Sequence, residues 1–499
     1  MATVTPRASS ATSDVSQQIK SFRAAVPPLR TSTNIQGNIL AAFNKDIQLF
    51  RLLRFTDVDL ARYWLSGMAE TVSRSKDVED FNERFSAQRK ANQGSDPEQL
   101  KALWVSLSLT SAGLQYVAVD WDGLKNSLQS YGDLKLFLDG AAGFANDLGD
   151  KGDSDPKYWK FGNTDDDKIV HAIVVIAADD RDDLSTAREE HVKLEAEYGI
   201  KVVLEQPCDA RLAGREHFGF KDGVSQPGVW GFHSPDPKRP DERLGKPGTK
   251  LVKAGEFVFG YVTEDGRARP APTWMNDGSL HVIRRLEQDV NAWNQQLRRN
   301  ASQMKMDPDL LGALLVGRFK DGTPLAECHD GDNDFDFGDD PKGLTTPCVA
   351  HIRKTYPRAH RDKNIDSAQN AGHTRHRIMR RGVSYGPPYR LDPDEERGMM
   401  FTCYCTSLRG QFGVQQGRWS NSSNFRAGID GSPTGIDAVS GTDNGNSPFK
   451  VNIEVSRNGT LYKGELNLKT CVTTTGSLFA FTPSINTLRQ LGRAEPLPR

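Results

Sequence analysis

Short apolar runs and helically spaced stretches alternate along the chain, and the same order occurs twice. DIQLFRLLRF reads as a strand near residues 46–55, and DLARYWLSGMAETV behind it spaces its apolar residues as a helix does. LWVSLSLT predicts another strand near 103–110, running into TSAGLQYVA. IVHAIVVIAA, near 169–178, is apolar almost without a break, which predicts a central strand. In the second half, SLHVIRRL followed by DVNAWNQQLRRNA echoes the first strand and helix, down to a tryptophan inside the helix (Trp64, Trp293). MMFTCYCTSLRGQFGVQQGRW echoes LWVSLSLTSAGLQYVA. Repeated strand–helix–strand units predict an α+β fold of two similar domains, each an antiparallel sheet covered by helices. SPDPKRPDERLGKPGTK, from Ser234 to Lys250, is dominated by proline, glycine and charge, as connections between domains are. The expected division is a disordered tail over 1–32, an N-terminal domain over 33–235 and a C-terminal domain over 236–499.

Composition narrows the classes. The 499 residues are ample for more than one core, and the net charge of -1 gives no electrostatic footprint for nucleic acid or anionic lipid. No apolar run approaches the roughly 18 residues that a membrane span needs. The first residues are polar and lack the apolar stretch of a signal peptide, so the expected state is intracellular, or secreted and given in mature form. Sequons at Asn300, Asn421 and Asn458 permit secretion without showing it. Six cysteines are too sparse for a disulfide scaffold. No Cys-x-x-Cys occurs, which argues against zinc ribbons, redox dithiols and covalent haem attachment. Cys403 and Cys405, two apart on a predicted strand, read as small buried hydrophobes on one face.

Four segments invite chemistry. HDGDNDFDFGDDPKG, from His329 to Gly343, is acidic, but its glycine falls one place late for a calcium loop and its twelfth position is Gly343 rather than glutamate. A solvated loop is the expectation. GFKDG, from Gly219 to Gly223, is either an Asp-Gly turn or an aspartate carried on tight backbone against a flat ligand. CVAHIRKTYPR sets His351 among Arg353, Lys354 and Arg358, which reads as an exposed basic loop or as an imidazole ligand with cations for anionic groups nearby. HRIMRRGVSYGPPY places Arg380 and Arg381 beside a glycine turn. They are a surface pair, or one of them points into a pocket where negative charge develops.

NIQGNIL (Asn34 to Leu40), GFKDG, HIRKTYPR and RIMRRGVSYG occur in an order that resembles the dye-decolorizing peroxidases, the fungal ones in particular, along residues from about 34 to about 485. Each piece alone is weak, whereas the combination is specific. The resemblance implies two ferredoxin-like domains and one non-covalent haem b per chain. His351 then corresponds to the proximal iron ligand and Asp222 to the distal acid/base. Arg380 corresponds to the distal arginine, with Arg381 left open. Asp437, in GIDAVSG, corresponds to the carboxylate that accepts the proximal histidine's N–H, which raises ligand basicity. Met399 and Phe401, alternating on one strand face, match apolar walls of the distal pocket, although leucine is commoner where Met399 stands. Arg358 matches a propionate partner. The implied reaction reduces hydrogen peroxide through an oxoferryl intermediate and oxidises dyes and phenols in one-electron steps. Lignin-related compounds and manganese are further candidate reductants, the latter through Asp362, Asp366 and Tyr356, although such residues are more often simply solvated. An aspartate base predicts activity that persists in acid. Trp419, in QQGRWSN, sits where fungal members carry an oxidisable surface tryptophan, and Tyr385 matches an assisting tyrosine. The plainer reading of Trp419 is a half-buried helix residue. The alternative is a haem protein of the same fold acting in iron release or haem carriage, and Asp222 together with Arg380 argues for turnover. No nucleic-acid or membrane partner is expected.

Overall fold

A computed structural model describes residues 28–97, 99–209, 212–239, 243–246, 248–328, 331–358, 373–425, 433–442 and 448–498. Its strands in chain order are β1 (Ile47–Phe55), β2 (Leu103–Thr110), β3 (Ala172–Ala178), β4 (Ile200–Cys208), β5 (Gly228–Val229), β6 (Leu251–Val252), β7 (Ser279–Gln288), β8 (Met379–Arg380), β9 (Val383–Tyr385), β10 (Gly398–Cys405), β11 (Phe449–Arg457), β12 (Thr460–Leu468) and β13 (Val472–Thr482). Nine of them form one sheet in the order β4-β1-β3-β2-β13-β7-β10-β8, with β9 also on β10. Every pairing within it is antiparallel. β9 also meets β4, so the two ends of the sheet approach each other as in a barrel.

The strand reading follows from burial. All seven residues of β3 are buried, and β3 lies between β1 and β2. β13, from the end of the chain, pairs along its length with β7 and through Ala480 and Phe481 with β2, so it joins strands from either side of residue 236. The C-terminal helix Ile485–Gly492 packs on the first long helix, Val58–Thr71. That helix starts where the Asp57 side chain accepts the N–H groups of Asp59 and Leu60, and Asp289 caps Val290–Met304 in the same manner. Trp64 and Trp293, one in each of these two helices, are both buried, the latter stacked on Phe218 at 4.6 Å. Cys403 and Cys405 are buried, and all six cysteines are free.

Three features add to the sequence reading. The first 27 residues of the tail lie outside the described residues, while Leu29 is already buried. β11 and β12 form a hairpin whose turn residues, Asn458 and Gly459, both have positive φ (49° and 76°). Asn-Gly between alternating apolar residues is a strong hairpin signal, and it marks this hairpin in the sequence. Asn458 is therefore an exposed turn residue, whereas Asn300 is buried and donates to the carbonyls of Gln296 and Asn467. The acidic stretch differs from expectation. Asp334 is buried against Arg239, Asp340 pairs with Arg353, and Phe335 and Phe337 are buried between them. Its aromatic residues carry it into the protein, and the carboxylates follow with cation partners. Among the described residues, no group of three or more His, Cys, Asp or Glu side chains is placed to hold a metal ion, and no helix is long and apolar enough to cross a membrane.

Candidate active site

A cavity of about 260 Å³ gathers most of the residues singled out above: Asp222, His351, Arg358, Arg380, Met399 and Phe401. His351 opens the short helix His351–Thr355. Its Nδ1 lies 2.8 Å from an Asp437 carboxylate oxygen, which assigns the proton to Nδ1 and leaves Nε2 with a free lone pair. Asp437 is fully buried and also accepts the N–H groups of Val439 and Ser440 and the Ser440 hydroxyl. Burial works to raise the Asp437 carboxyl, but the imidazole and these donors outweigh it and hold it below the usual carboxylate range. Burial likewise works to lower His351, and Asp437 outweighs it and raises the imidazole above its ordinary value.

GFKDG brings Asp222 to the same cavity. Gly219 and Gly223 take positive φ of 100° and 70°, conformations that side-chain-bearing residues resist, and the Asp222 N–H is tied to the Gly214 carbonyl at 3.0 Å. Arg380, on β8, places a guanidinium nitrogen 3.4 Å from the Asp222 carboxylate and donates to the Ser225 carbonyl at 2.9 Å. Gln226 holds the Arg380 backbone through both its N–H and its carbonyl. Arg381 follows on the strand and turns the other way. It donates to the carbonyls of Asn38, Ile39 and Leu40 at the end of the helix Gly37–Leu40, and it does not line this cavity. NIQGNIL thus enters the site indirectly, as the anchor of Arg381. Met399 and Phe401 share one face of β10 and line the cavity with Leu286, Phe220 and Ile378.

Besides Arg284, which pairs with Asp150, three arginines line it with Arg380. Arg318 donates to the Gly322 and Asp332 carbonyls and to the Asn333 side chain. Arg358 donates to the carbonyls of Asn333 and Phe335 and to the Ser225 hydroxyl. Arg377 lies 3.7 Å from the Tyr356 ring centroid. None of the three has a carboxylate partner among the described residues, and burial pushes each down to about 10. Arg318 and Arg377 carry no signal in the sequence, since isolated arginines look like surface residues until the fold buries them. Burial works to raise the Tyr356 phenol, but Arg377, Lys250 and Arg358 outweigh it and lower it. Asp362 and Asp366 lie outside the described residues.

Trp419 lies in a π-helical stretch, Val414–Ser420, whose Gln415, Gln416 and Ser420 line the cavity. It is 8 % exposed, stacked on Phe425 at 5.1 Å and edge-on to His376 at 5.2 Å. Tyr385 is 1 % exposed under the Arg285 guanidinium, and its hydroxyl has no hydrogen-bond partner among the described residues. Both rings are therefore buried rather than on the surface.

This donor set fits a haem. One bare imidazole nitrogen belongs to a largely apolar cavity, and the buried guanidinium groups that line it without a carboxylate partner among the described residues suit the two carboxylates of a porphyrin. An α+β sheet enclosing a histidine–aspartate pair and an aspartate–arginine pair around one apolar cavity defines the class of a haem-dependent oxidoreductase. The comparisons place the chain within that class. The family described as DyP dimeric alpha+beta barrel domain matches residues 34–211, and the one described as Dyp-type peroxidase, C-terminal, matches residues 257–424. Together they match more than half of the protein, and the chain belongs to the dye-decolorizing peroxidase family. It is 28 % identical to the dye-decolorizing peroxidase msp1 of Mycetinis scorodonius, over 92 % of this chain and 86 % of that protein. It is 29 % identical to the dye-decolorizing peroxidase AauDyP1 of Auricularia auricula-judae, over 93 % of this chain and 89 % of that protein. A solved structure of an ancestral D-type dye decolorizing peroxidase superposes with a TM-score of 0.73 at 28 % identity, covering 94 % of this chain and all of the other. The protein is a peroxidase of this haem-dependent family.

Proposed function

We propose that this peroxidase takes hydrogen peroxide as oxidant, with one non-covalent haem b per chain held by His351, and oxidises dyes, phenols and similar aromatic reductants in one-electron steps. The cavity lined by both His351, with Asp437 buried behind it, and the Asp222–Arg380 pair carries the reading. When bound, the haem iron supplies the site at which the peroxide O–O bond breaks and where the oxidising equivalents are first held. Asp222 accepts the proton from one peroxide oxygen and returns it to the other, which leaves as water. Arg380, beside it, orients the peroxide and offsets the charge developing on the leaving oxygen. Asp437 fixes the orientation and tautomer of His351 and raises its basicity. Arg358 meets a propionate, and Met399 and Phe401 keep the pocket apolar. In this reading residues 33–235 form the unit that contributes Asp222 and residues 236–499 the unit that contributes His351. Trp419, assisted by Tyr385, passes electrons from substrates too large for the pocket. Lignin-related aromatics and manganese belong in the panel of reductants.

The test is to load the protein with haem and mix it with peroxide and an anthraquinone dye across pH. Peroxide-dependent bleaching of the dye supports the reading. Haem that binds but is only slowly destroyed by peroxide, with the dye untouched, would refute it in favour of a haem carrier. His351→Ala is expected to lose most of its haem or its histidine-ligated ferric spectrum. A fully loaded variant with an unchanged spectrum would move the ligand to His373 or His376.

A further inference from the structure

Asp222 sits next to a single antiparallel bridge, Arg215 to Lys221, with its own N–H on the Gly214 carbonyl, and no longer ladder extends over the turn before it. Phe218 and Phe220, just before it, bury their rings in the core that contains Trp293 and Leu311. Their backbone N–H groups turn the opposite way, toward one carboxylate. Glu216 accepts the Phe218 N–H through one oxygen and the Phe220 N–H through the other, each at 2.8 Å. Gln288, at the end of β7, donates a third bond at 2.6 Å. The Glu216 backbone closes the loop on itself, its N–H donating to the Phe220 carbonyl and its carbonyl accepting the Gly219 N–H. No ion pair among the described residues uses this carboxylate, although it lines a cavity rich in arginine. Its acceptors are spent on the amides of the turn instead. Both oxygens are needed, because the two loop donors go to different ones.

We infer that Glu216 is the positioning residue of the distal site: its carboxylate clamps the 218–220 backbone to β7 and so fixes where Asp222 meets peroxide. The inference rests on the proposed acid/base role of Asp222. Glu216→Gln keeps size and shape but replaces one acceptor oxygen by an NH₂ group that faces a backbone N–H or the Gln288 amide. One hydrogen bond of the clamp is then lost and a donor opposes a donor.

The experiment is a double-mutant cycle on the haem-loaded protein, read by stopped-flow with peroxide, together with hydrogen exchange of the peptide spanning 215–223. Glu216→Gln is expected to slow the reaction with peroxide on the order of 10- to 100-fold, the range that misplacing a catalytic group costs. Its ferric spectrum should be unchanged and its exchange should quicken in that peptide. Added to Asp222→Asn it should cost little more, because a clamp has nothing to position once the base is gone. If Glu216→Gln does not fold, Gln288→Leu carries the test, with a smaller slowing and the same loss of additivity. A slow Asp222→Asn variant combined with a normal Glu216→Gln variant, with additive effects, or with unchanged exchange overturns this inference alone. A normal Asp222→Asn variant overturns both this inference and the acid/base reading beneath it.

Discussion

Arg380 and Arg381 show how far a single residue's surroundings decide its role. Both are cations in RIMRRGVSYG, and the sequence leaves the choice between them open. Strand geometry sends them to opposite sides: one guanidinium stands beside Asp222, the other closes the end of a helix made by the N-terminal segment. Asp222→Asn and Arg380→Leu are each expected to keep haem and to slow the reaction with peroxide by ~10²–10⁴-fold, the usual cost of removing a general base or a preorganised charge. Arg381→Leu should react with peroxide at close to the normal rate. It leaves three carbonyls without their donor, so its loss is expected in stability, about 1–3 kcal/mol by denaturant titration. Normal peroxide rates in both Asp222→Asn and Arg380→Leu would refute the pocket. A large kinetic defect in Arg381→Leu would reverse the assignment of the pair.

The π-helical element Val414–Ser420 runs along the cavity. Gln415, Gln416 and Ser420 line it, while Trp419 does not line it and is buried against Phe425. Lys354, three residues beyond His351, donates to the carbonyls of Ser422 and Trp419, so the element is tied to the helix of the proposed ligand. Trp419→Phe keeps an aromatic ring in the stack and should preserve folding, haem content and the peroxide reaction. Phenylalanine is much harder to oxidise than indole. Turnover of bulky anthraquinone dyes should therefore fall sharply, while small reductants that reach the pocket are oxidised as before. Steady-state kinetics on both classes decide the matter. Equal loss on both would indicate a packing defect, and no loss on either would leave Trp419 as a buried structural ring and transfer the route to Tyr385 or to the open cavity.

At the scale of the whole molecule, groups buried in the fold set how stability varies with pH. Burial pushes Glu256 up to about 7, against its ion pair with Arg269. It binds a proton more readily in the folded protein than in the unfolded chain. The stability this contributes is complete below the ordinary carboxyl value and is lost as pH rises through about 7. A shift of this size is worth on the order of 3 kcal/mol. His171, His191, His217, His233 and His281 are held by burial below their ordinary value and give the opposite slope below about pH 6.5, so the carboxyl contribution is read as a difference: the stability of the protein relative to Glu256→Gln should fall between pH 4.5 and pH 8. An unchanged slope in the variant would rule the mechanism out. Much of the architecture was legible from pattern alone, because a short, β-branched apolar run such as AIVVIAA favours a strand covered on both faces, and a strand followed by an amphipathic helix buries its tryptophan in both halves of the chain. The motifs around Asp222, His351 and Arg380 stood out only in combination, because each alone reads equally as an Asp-Gly turn, a basic loop or a surface pair. Only the tertiary structure decided the rest: that β13 joins β2 to β7 in one sheet, that Arg381 serves a helix end while Arg380 meets Asp222, and that Arg318 and Arg377 lose their water. The physical reason is that periodicity and turn chemistry act between near neighbours in the chain, whereas which charge is buried, and against what, depends on residues hundreds of positions away that only the closed fold brings together.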